Sequence, residues 1–329
     1  MGKKRILSGM RPTGRLHLGN YFGALQNWVR LQDEYECFFM VADWHALTSE
    51  WQDTSEIAEL TRQIVIDWLA VGLDPQRSAL FVQSQVKQHA ELALLLGMFT
   101  PLPWLERCPT YKEQIKEISN RDLSNYGFLG YPVLQAADIT VYDAEAVPIG
   151  EDQVPHLEMT REMVRRINHI YGEVLVEPRA ILSPTPKLLG YDGRKMSKSY
   201  DNCIYLSDSA DEVTDKVMQM VTDPQRVRRE DPGNPDICSV FDYQKILSKD
   251  RLDWIDKGCR SASIGCVDDK KLLAERLNAL LEPFRAKRRA LEANPQEVDR
   301  VIEEGNARAR AAAETTMRRV RKALNLPEN

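Results

Sequence analysis

Two short segments carry residue types that could do chemistry together. Near the start stand Gly9-Met10-Arg11-Pro12-Thr13-Gly14-Arg15-Leu16-His17-Leu18-Gly19-Asn20, and about 180 residues later come Lys195-Met196-Ser197-Lys198-Ser199. His17 and Asn20 are three apart, so in the first turn of a helix they share a face and can both donate to phosphate oxygens. Gly19 lets a nucleotide lie close to the backbone, where a side chain would collide with it. A helix start adds unpaired N–H groups and the positive end of the dipole, which suit a triphosphate. The second segment sets two lysines three apart between glycines (Gly190, Gly193) and a polar run, as in a mobile cationic loop. Alone, the first reads as a capped helix and the second as a solvated turn. In this order and spacing they predict a catalyst that transfers an adenylyl group from ATP.

The elements that must position these residues follow from the apolar pattern. Ile6 and Leu7 form a short apolar run before the first segment, and an amphipathic stretch follows it, giving strand, glycine turn and helix start. Strand-like runs occupy residues 5–8, 37–42, 79–83 and 146–149. Between them lie helical stretches such as 55–71, introduced by Asp53 and Glu56 in capping-box spacing and closed by Gly72. Such alternation predicts an α/β fold, a Rossmann-like parallel sheet with right-handed crossovers and helices on both faces. The glycine turn then falls at the carboxyl end of the first strand, where open α/β sheets bind ligands. From Ser207 onward helical segments dominate, punctuated by Pro224, Pro232-Gly233-Asn234-Pro235 and Pro283, and residues 298–324 are Ala/Arg/Glu-rich with helical periodicity. There are no internal repeats and no low-complexity tract.

Composition narrows the classes. The 329 residues carry 44 Lys+Arg against 49 Asp+Glu, a net charge of −5 that argues against a wholesale nucleic-acid binder. Charge is uneven, however. Residues 285–329 hold 11 Lys/Arg against 7 Asp/Glu, and Arg226-Val227-Arg228-Arg229 adds a second cluster. Such patches either grip a phosphate backbone or form ordinary charged helix faces. No apolar run approaches a membrane span, and Lys3, Lys4 and Arg5 precede too few apolar residues for a signal peptide, so a cytoplasmic chain without a membrane partner is expected. Six scattered cysteines fit free thiols or metal ligands.

His17-Leu18-Gly19-Asn20 and Lys195-Met196-Ser197-Lys198-Ser199 resemble the HIGH and KMSKS signatures of class I aminoacyl-tRNA synthetases. The longer stretches 11–25, Gly150-Glu151-Asp152-Gln153 and 192–199 resemble the bacterial tryptophanyl-tRNA synthetase family, and the resemblance extends over essentially the whole chain. It implies a homodimer that activates L-tryptophan with ATP and Mg²⁺ and passes it to tRNA(Trp). It also implies a catalytic domain over 1–204, a helical anticodon-binding domain over 205–296, and a final helix over 297–329 returning to the catalytic domain. Lys195 and Lys198 would hold the β- and γ-phosphates, with His17 and Asn20 at the phosphate chain and Lys112 as a further cation. Arg11, Thr13, Gly19, Gly150, Asp152, Met196 and Ser197 would complete the ATP site, with Asp152 on the ribose or capping its own helix.

For the amino acid the resemblance implies Leu7, Arg11, His45, Tyr131, Gln135, Asp138 and Gln153. Tyr131, Gln135 and Asp138 fall at i, i+4 and i+7 and share one helix face. The family's aspartate at the place of Asp138 accepts the indole N–H, which has one donor and no acceptor, and its tyrosine helps hold the ammonium. Read alone, Asp138 instead satisfies a neighbouring backbone group, and His45 is structural. Arg11 stands where glutamine is usual and Gln135 where methionine is usual. Arg11 is suited to a bidentate contact with the substrate carboxylate.

Cys238, Cys259 and Cys266 pose a separate question. Some family members hold a [4Fe–4S] cluster on four cysteines spaced x₂₂, x₆ and x₂. Here the spacing is x₂₀ then x₆, and Asp269 stands at the fourth place. A carboxylate is a poor substitute for a thiolate there. The alternatives are a three-cysteine cluster, with Asp269 or an open iron, and three free thiols. The rival functions are tyrosine specificity on the same fold, a synthetase-like paralogue that binds without charging tRNA, and a small nucleotidyltransferase. The run from Glu151 to Arg161 favours tryptophan.

Overall fold

The computed structural model describes residues 2–108, 125–182, 188–196 and 200–327. Contacts divide the chain into two units, residues 1–13, 24–184 and 294–329 in one, and 14–23 with 185–293 in the other.

The first unit is built on five parallel strands: β1 (Arg5–Met10), β2 (Glu36–Val41), β3 (Ser78–Val82), β4 (Ala146–Ile149) and β5 (Arg179–Leu182). Their order is β3-β2-β1-β4-β5. The chain therefore winds outward on one side of β1 and then switches to the other, creating a crevice at the carboxyl ends of β1 and β4. β3 is buried at every position and β2 at all but its first, so both read as unbroken apolar runs. The first four strands agree with the sequence expectation. β5 was not foreseen: it is short, lies at the edge and exposes three of its four residues.

The helix expected over 55–71 spans Ile57–Val71. Asp53 does not cap it directly. Its Oδ1 accepts from the N–H and hydroxyl of Ser55, an Asx turn that leads into the helix. Gly72, at φ 109°, ends it, and the Leu73 N–H closes on the Trp68 carbonyl at 2.9 Å.

A helix at Pro295–Ala323 packs on the sheet. Ala309, Ala313, Met317 and Val320 recur at helical spacing and are fully buried in the core. Gly305 meets β3 so closely that a Cβ there would stand 1.8 Å from the Leu80 carbonyl oxygen. Next to it, Asn306 Oδ1 accepts from the Val82 N–H at 3.0 Å, and Arg308 donates to the Ser78 carbonyl at 2.6 Å. The helix thus satisfies backbone groups on the outer edge of β3. Most of its basic residues have internal partners. Arg319 pairs with Asp143, Arg321 with Glu91 and Glu314, and Arg310 with Glu303. The basic run is therefore a set of ion-paired helix faces rather than an open phosphate-binding patch.

The second unit is helical, with helices at Ala210–Gln219, Ser239–Leu247, Leu252–Arg260 and Cys266–Ala293. Among its described residues the only β pairing is two isolated bridges, His17 with Tyr205 and Leu189 with Lys195. Ser209 and Glu212 form a reciprocal capping box. Pro283 was expected to punctuate; it lies inside the 28-residue helix instead. Buried Leu277, Leu281 and Arg285 hold that helix on either side of the proline, and Arg285 anchors to the Asp208 carbonyl and to Asn278.

Candidate active site

In the first unit, a polar cluster surrounds Asp138, which is 1% exposed near the end of the Tyr126–Thr140 helix. Its Oδ1 accepts from Gln83 Nε2 at 2.8 Å and faces His89 Nδ1 at 2.7 Å. Its Oδ2 faces His45 Nε2 at 2.7 Å. The contributors come from segments just after the carboxyl ends of β2 and β3: His45 from the Asp43–Glu50 helix, Gln83 from a 3₁₀ turn, and His89 from the Gln88–Phe99 helix. The Gln83 amide is oriented by its own oxygen, which accepts from the Trp44 N–H. Burial alone would raise the Asp138 carboxyl. The charge and hydrogen bond of His45, with those of His89, outweigh it and hold the group at about 2. Asp138 is thus satisfied by side chains and not by a neighbouring backbone group, and His45 is one of its partners.

The other amino-acid candidates in this unit have definite places. The Tyr131 hydroxyl lies 2.6 Å from His156 Nε2, and Cys108 Sγ stands 3.6 Å from the same nitrogen. Gln135 is half-buried on the same helix, while Leu7 is 3% exposed within the core that includes Phe38 and Met40. Arg11 is exposed, and its carbonyl accepts from the Thr13 N–H at 2.9 Å. After β4, a Cβ on Gly150 would stand 2.7 Å from Asp152 Oδ1, so glycine lets that carboxylate fold back. Asp152 does not cap the following helix: Gln153 holds the N-cap position, and its Nε2 donates to Asp152 Oδ2 at 2.9 Å.

In the second unit, His17 and Asn20 open a helix at Leu18–Asn20. Asn20 Oδ1 accepts from the His17 N–H at 3.0 Å. That bond turns the amide's oxygen inward and leaves its NH₂ as the group that can donate. Gly19 also has a local reason within the protein. A Cβ there would stand 2.9 Å from the His17 imidazole, which already occupies that space, with Met196 Sδ 3.6 Å away. Lys195 is exposed on a turn organised by buried Asn202, whose Nδ2 donates to Asp192 Oδ1 at 2.7 Å and to the Lys195 carbonyl at 3.1 Å. A Cβ on Gly190 would strike Asn202 at 2.4 Å. Lys112, Ser197 and Lys198 lie outside the described residues.

Cys238, Cys259, Cys266 and Asp269 line one recess, with Arg226 in its wall. The Asp269 carboxylate accepts from Gln244 Nε2 at 2.7 Å, and burial raises it above the ordinary carboxylate value. Burial likewise raises the thiols of Cys238 and Cys259. Two thiols biased toward their protonated form, beside Cys266 and a carboxyl already bonded to Gln244, do not match a four-thiolate cluster cradle. Among the described residues, no group of three or more His, Cys, Asp or Glu is placed to hold a metal ion.

Sequence reasoning missed Gln83, His89, Tyr142, His156 and Asn202. The first four are defined by partners distant in sequence, although His156 lies within the Glu151–Arg161 run that favoured tryptophan, while Asn202 acts on Asp192 and Lys195 within its own turn.

Comparison with known proteins gives the same picture across the chain. It is 55% identical to the tryptophan–tRNA ligase of Thermotoga maritima, covering 98% of this chain and 99% of that protein. It is 46% identical to the tryptophan–tRNA ligase of Aquifex aeolicus, covering 98% of this chain and all of that protein. The structure of a Campylobacter jejuni tryptophanyl-tRNA synthetase, solved with ADP and tryptophan, superposes with a TM-score of 0.89 at 32% identity, covering 98% of this chain and all of that one. The family described as tRNA synthetases class I (W and Y) matches residues 2–282, and the chain belongs to it.

Proposed function

We infer that this chain attaches tryptophan to tRNA(Trp). ATP and tryptophan give tryptophanyl-adenylate and pyrophosphate, and the terminal 2′-hydroxyl of the tRNA then takes the acyl group as AMP leaves. The observation that carries this reading is the likeness, over essentially the full length, to proteins named for that reaction. Tyrosine specificity has no comparable support among these relatives.

The proposed chemistry needs no general base, because the tryptophan carboxylate is already ionised when it attacks the α-phosphorus. Its barrier is lowered by positioning and by neutralising the leaving pyrophosphate. In this reading Lys195 and Lys198, with Lys112, supply cations to the β- and γ-phosphates. The Asn20 amide and the His17 imidazole contact the phosphate chain, with Thr13, Gly19, Met196 and Ser197 beside them. Mg²⁺ carried on the phosphates shares the charge. Asp152 receives the ribose hydroxyls, while Gln153 and Tyr131 hold the ammonium. Arg11 meets the carboxylate. Asp138 accepts the indole N–H, beside Gln135, His45 and Leu7. A substrate without that N–H would leave a buried ionised carboxylate short of a donor, which supports strong discrimination.

The helical segment 205–296 is proposed to bind the anticodon arm, and the enzyme to work in the cytosol as a homodimer. No helix among the described residues is long and apolar enough to cross a membrane. The test is pyrophosphate exchange into ATP, run separately with tryptophan and with tyrosine, with and without tRNA. Exchange with tryptophan alone is the expected result. Exchange with neither amino acid, even with tRNA present, would point to a paralogue that binds without activating.

A further inference from the structure

The carboxylate of Asp138 has two inequivalent oxygens. Oδ1 receives both Gln83 and His89, whereas Oδ2 receives His45. A carboxylate oxygen has two acceptor positions. Oδ1 is therefore filled from within the protein, and the remaining acceptor capacity belongs to Oδ2. Accessibility points the same way. The His89 side chain is fully buried, while the His45 side chain beside Oδ2 keeps 11% of its surface. The histidine beside Oδ2 is thus the less enclosed of the two.

His89 is held in that role by Tyr142, whose hydroxyl lies 2.7 Å from Nε2. Tyr142 is itself fully buried. Burial, followed by the charge of Asp138, pushes its phenol well above the ordinary tyrosine value, so it stays a neutral hydroxyl able to donate. When it donates to Nε2, an N–H on Nδ1 donates to Asp138 Oδ1. The Phe81 ring stacks along the imidazole at 6.0 Å, and Tyr142 meets it edge-on at 5.3 Å, which fixes the ring plane.

We propose that His89 is a positioning residue for amino-acid selection: locked by Tyr142, it occupies Asp138 Oδ1 and reserves Oδ2 for the indole N–H. The inference rests on the reading that Asp138 accepts that N–H. His89 does not touch the substrate; it acts through Asp138.

The test is pyrophosphate exchange by the full chain with tryptophan and with 3-benzothienylalanine, which keeps the ring shape but lacks the N–H. His89→Leu removes both ring nitrogens. It is expected to raise the KM for tryptophan by about tenfold to a hundredfold, the scale of a charge-assisted hydrogen bond. The kcat should move less than about threefold and the analogue's KM hardly at all, so discrimination shrinks by the same factor. His89→Asn, which offers an amide N–H near the place of Nδ1, is expected to recover most of the loss. Equal losses for both substrates, or a fall in kcat alone, would mean that His89 only fills space and would overturn the proposal.

Asp138→Asn in the same assay separates the two claims. If it leaves discrimination intact, the reading of Asp138 itself fails. If it abolishes discrimination while His89→Leu does not, only the role of His89 fails. Should His89→Leu not fold, Tyr142→Phe removes a single hydroxyl, and an unchanged discrimination ratio in that variant would overturn the proposal just as well.

Discussion

Lys195 is exposed on a turn fixed by Asn202, and in the proposed reading its charge meets a phosphate. Lys195→Ala is expected to slow pyrophosphate exchange by about 10²–10³-fold, as when one transition-state donor is removed, with little change in the dissociation constant for tryptophan. Equal losses in both would contradict the proposed role. Asp138 carries a different signature. Its carboxyl sits at about 2 against an ordinary 3.8. A carboxyl lowered in this way contributes stability that is fully present above the ordinary value and is lost as pH falls through the folded value. The Tm gap between this chain and Asp138→Asn is therefore expected to hold steady above pH about 4 and to narrow toward pH about 2. A gap that stays constant throughout would refute the cluster's electrostatics. The motif residues were legible because neighbours in sequence announce them. His89 and Gln83 were not, since they meet Asp138 across 49 and 55 residues and only the folded sheet brings them together.

Strands β2 to β4 were legible as mostly buried apolar runs, and β1 through its buried pair Ile6 and Leu7. β5 exposes most of its residues and has no such run, so a local pattern could not reveal it. Pro283 misled in the opposite direction, because packing on either side of it outweighs the lost backbone hydrogen bond. Gly305 had no sequence signal either. In a helical pattern a lone glycine reads as a weak point, whereas here it is a contact point with the Leu80 backbone. Gly305→Ala should gain helix propensity and yet lose about 3 kcal/mol, because the obstacle is a carbonyl and not a flexible side chain. Urea unfolding measures this, and a stabilised variant would show that the helix can withdraw from the strand at little cost.

The acidic chain as a whole places much of its C-terminal basic charge in internal pairs, so net charge says little about where tRNA binds. None of its six cysteines is in a disulfide. Thiol titration after unfolding is expected to find all six, with fewer reacting in the native protein. Anaerobically purified protein should contain no acid-labile sulfide; stoichiometric sulfide with iron would mean that Asp269 does not prevent cluster binding. Asp269→Cys supplies the fourth thiol and is the variant in which a cluster is most expected.

The Pro295–Ala323 helix also sets a schedule for synthesis. The bond from Val82 to Asn306 spans 224 residues, so a growing chain exposes the outer edge of β3 long before its cover emerges from the ribosome. During that interval the nascent domain offers an apolar strand with open backbone groups, the geometry that invites pairing between chains. Its vulnerability to aggregation is therefore concentrated in translation and in refolding, and is removed only when the last long helix closes over the strand.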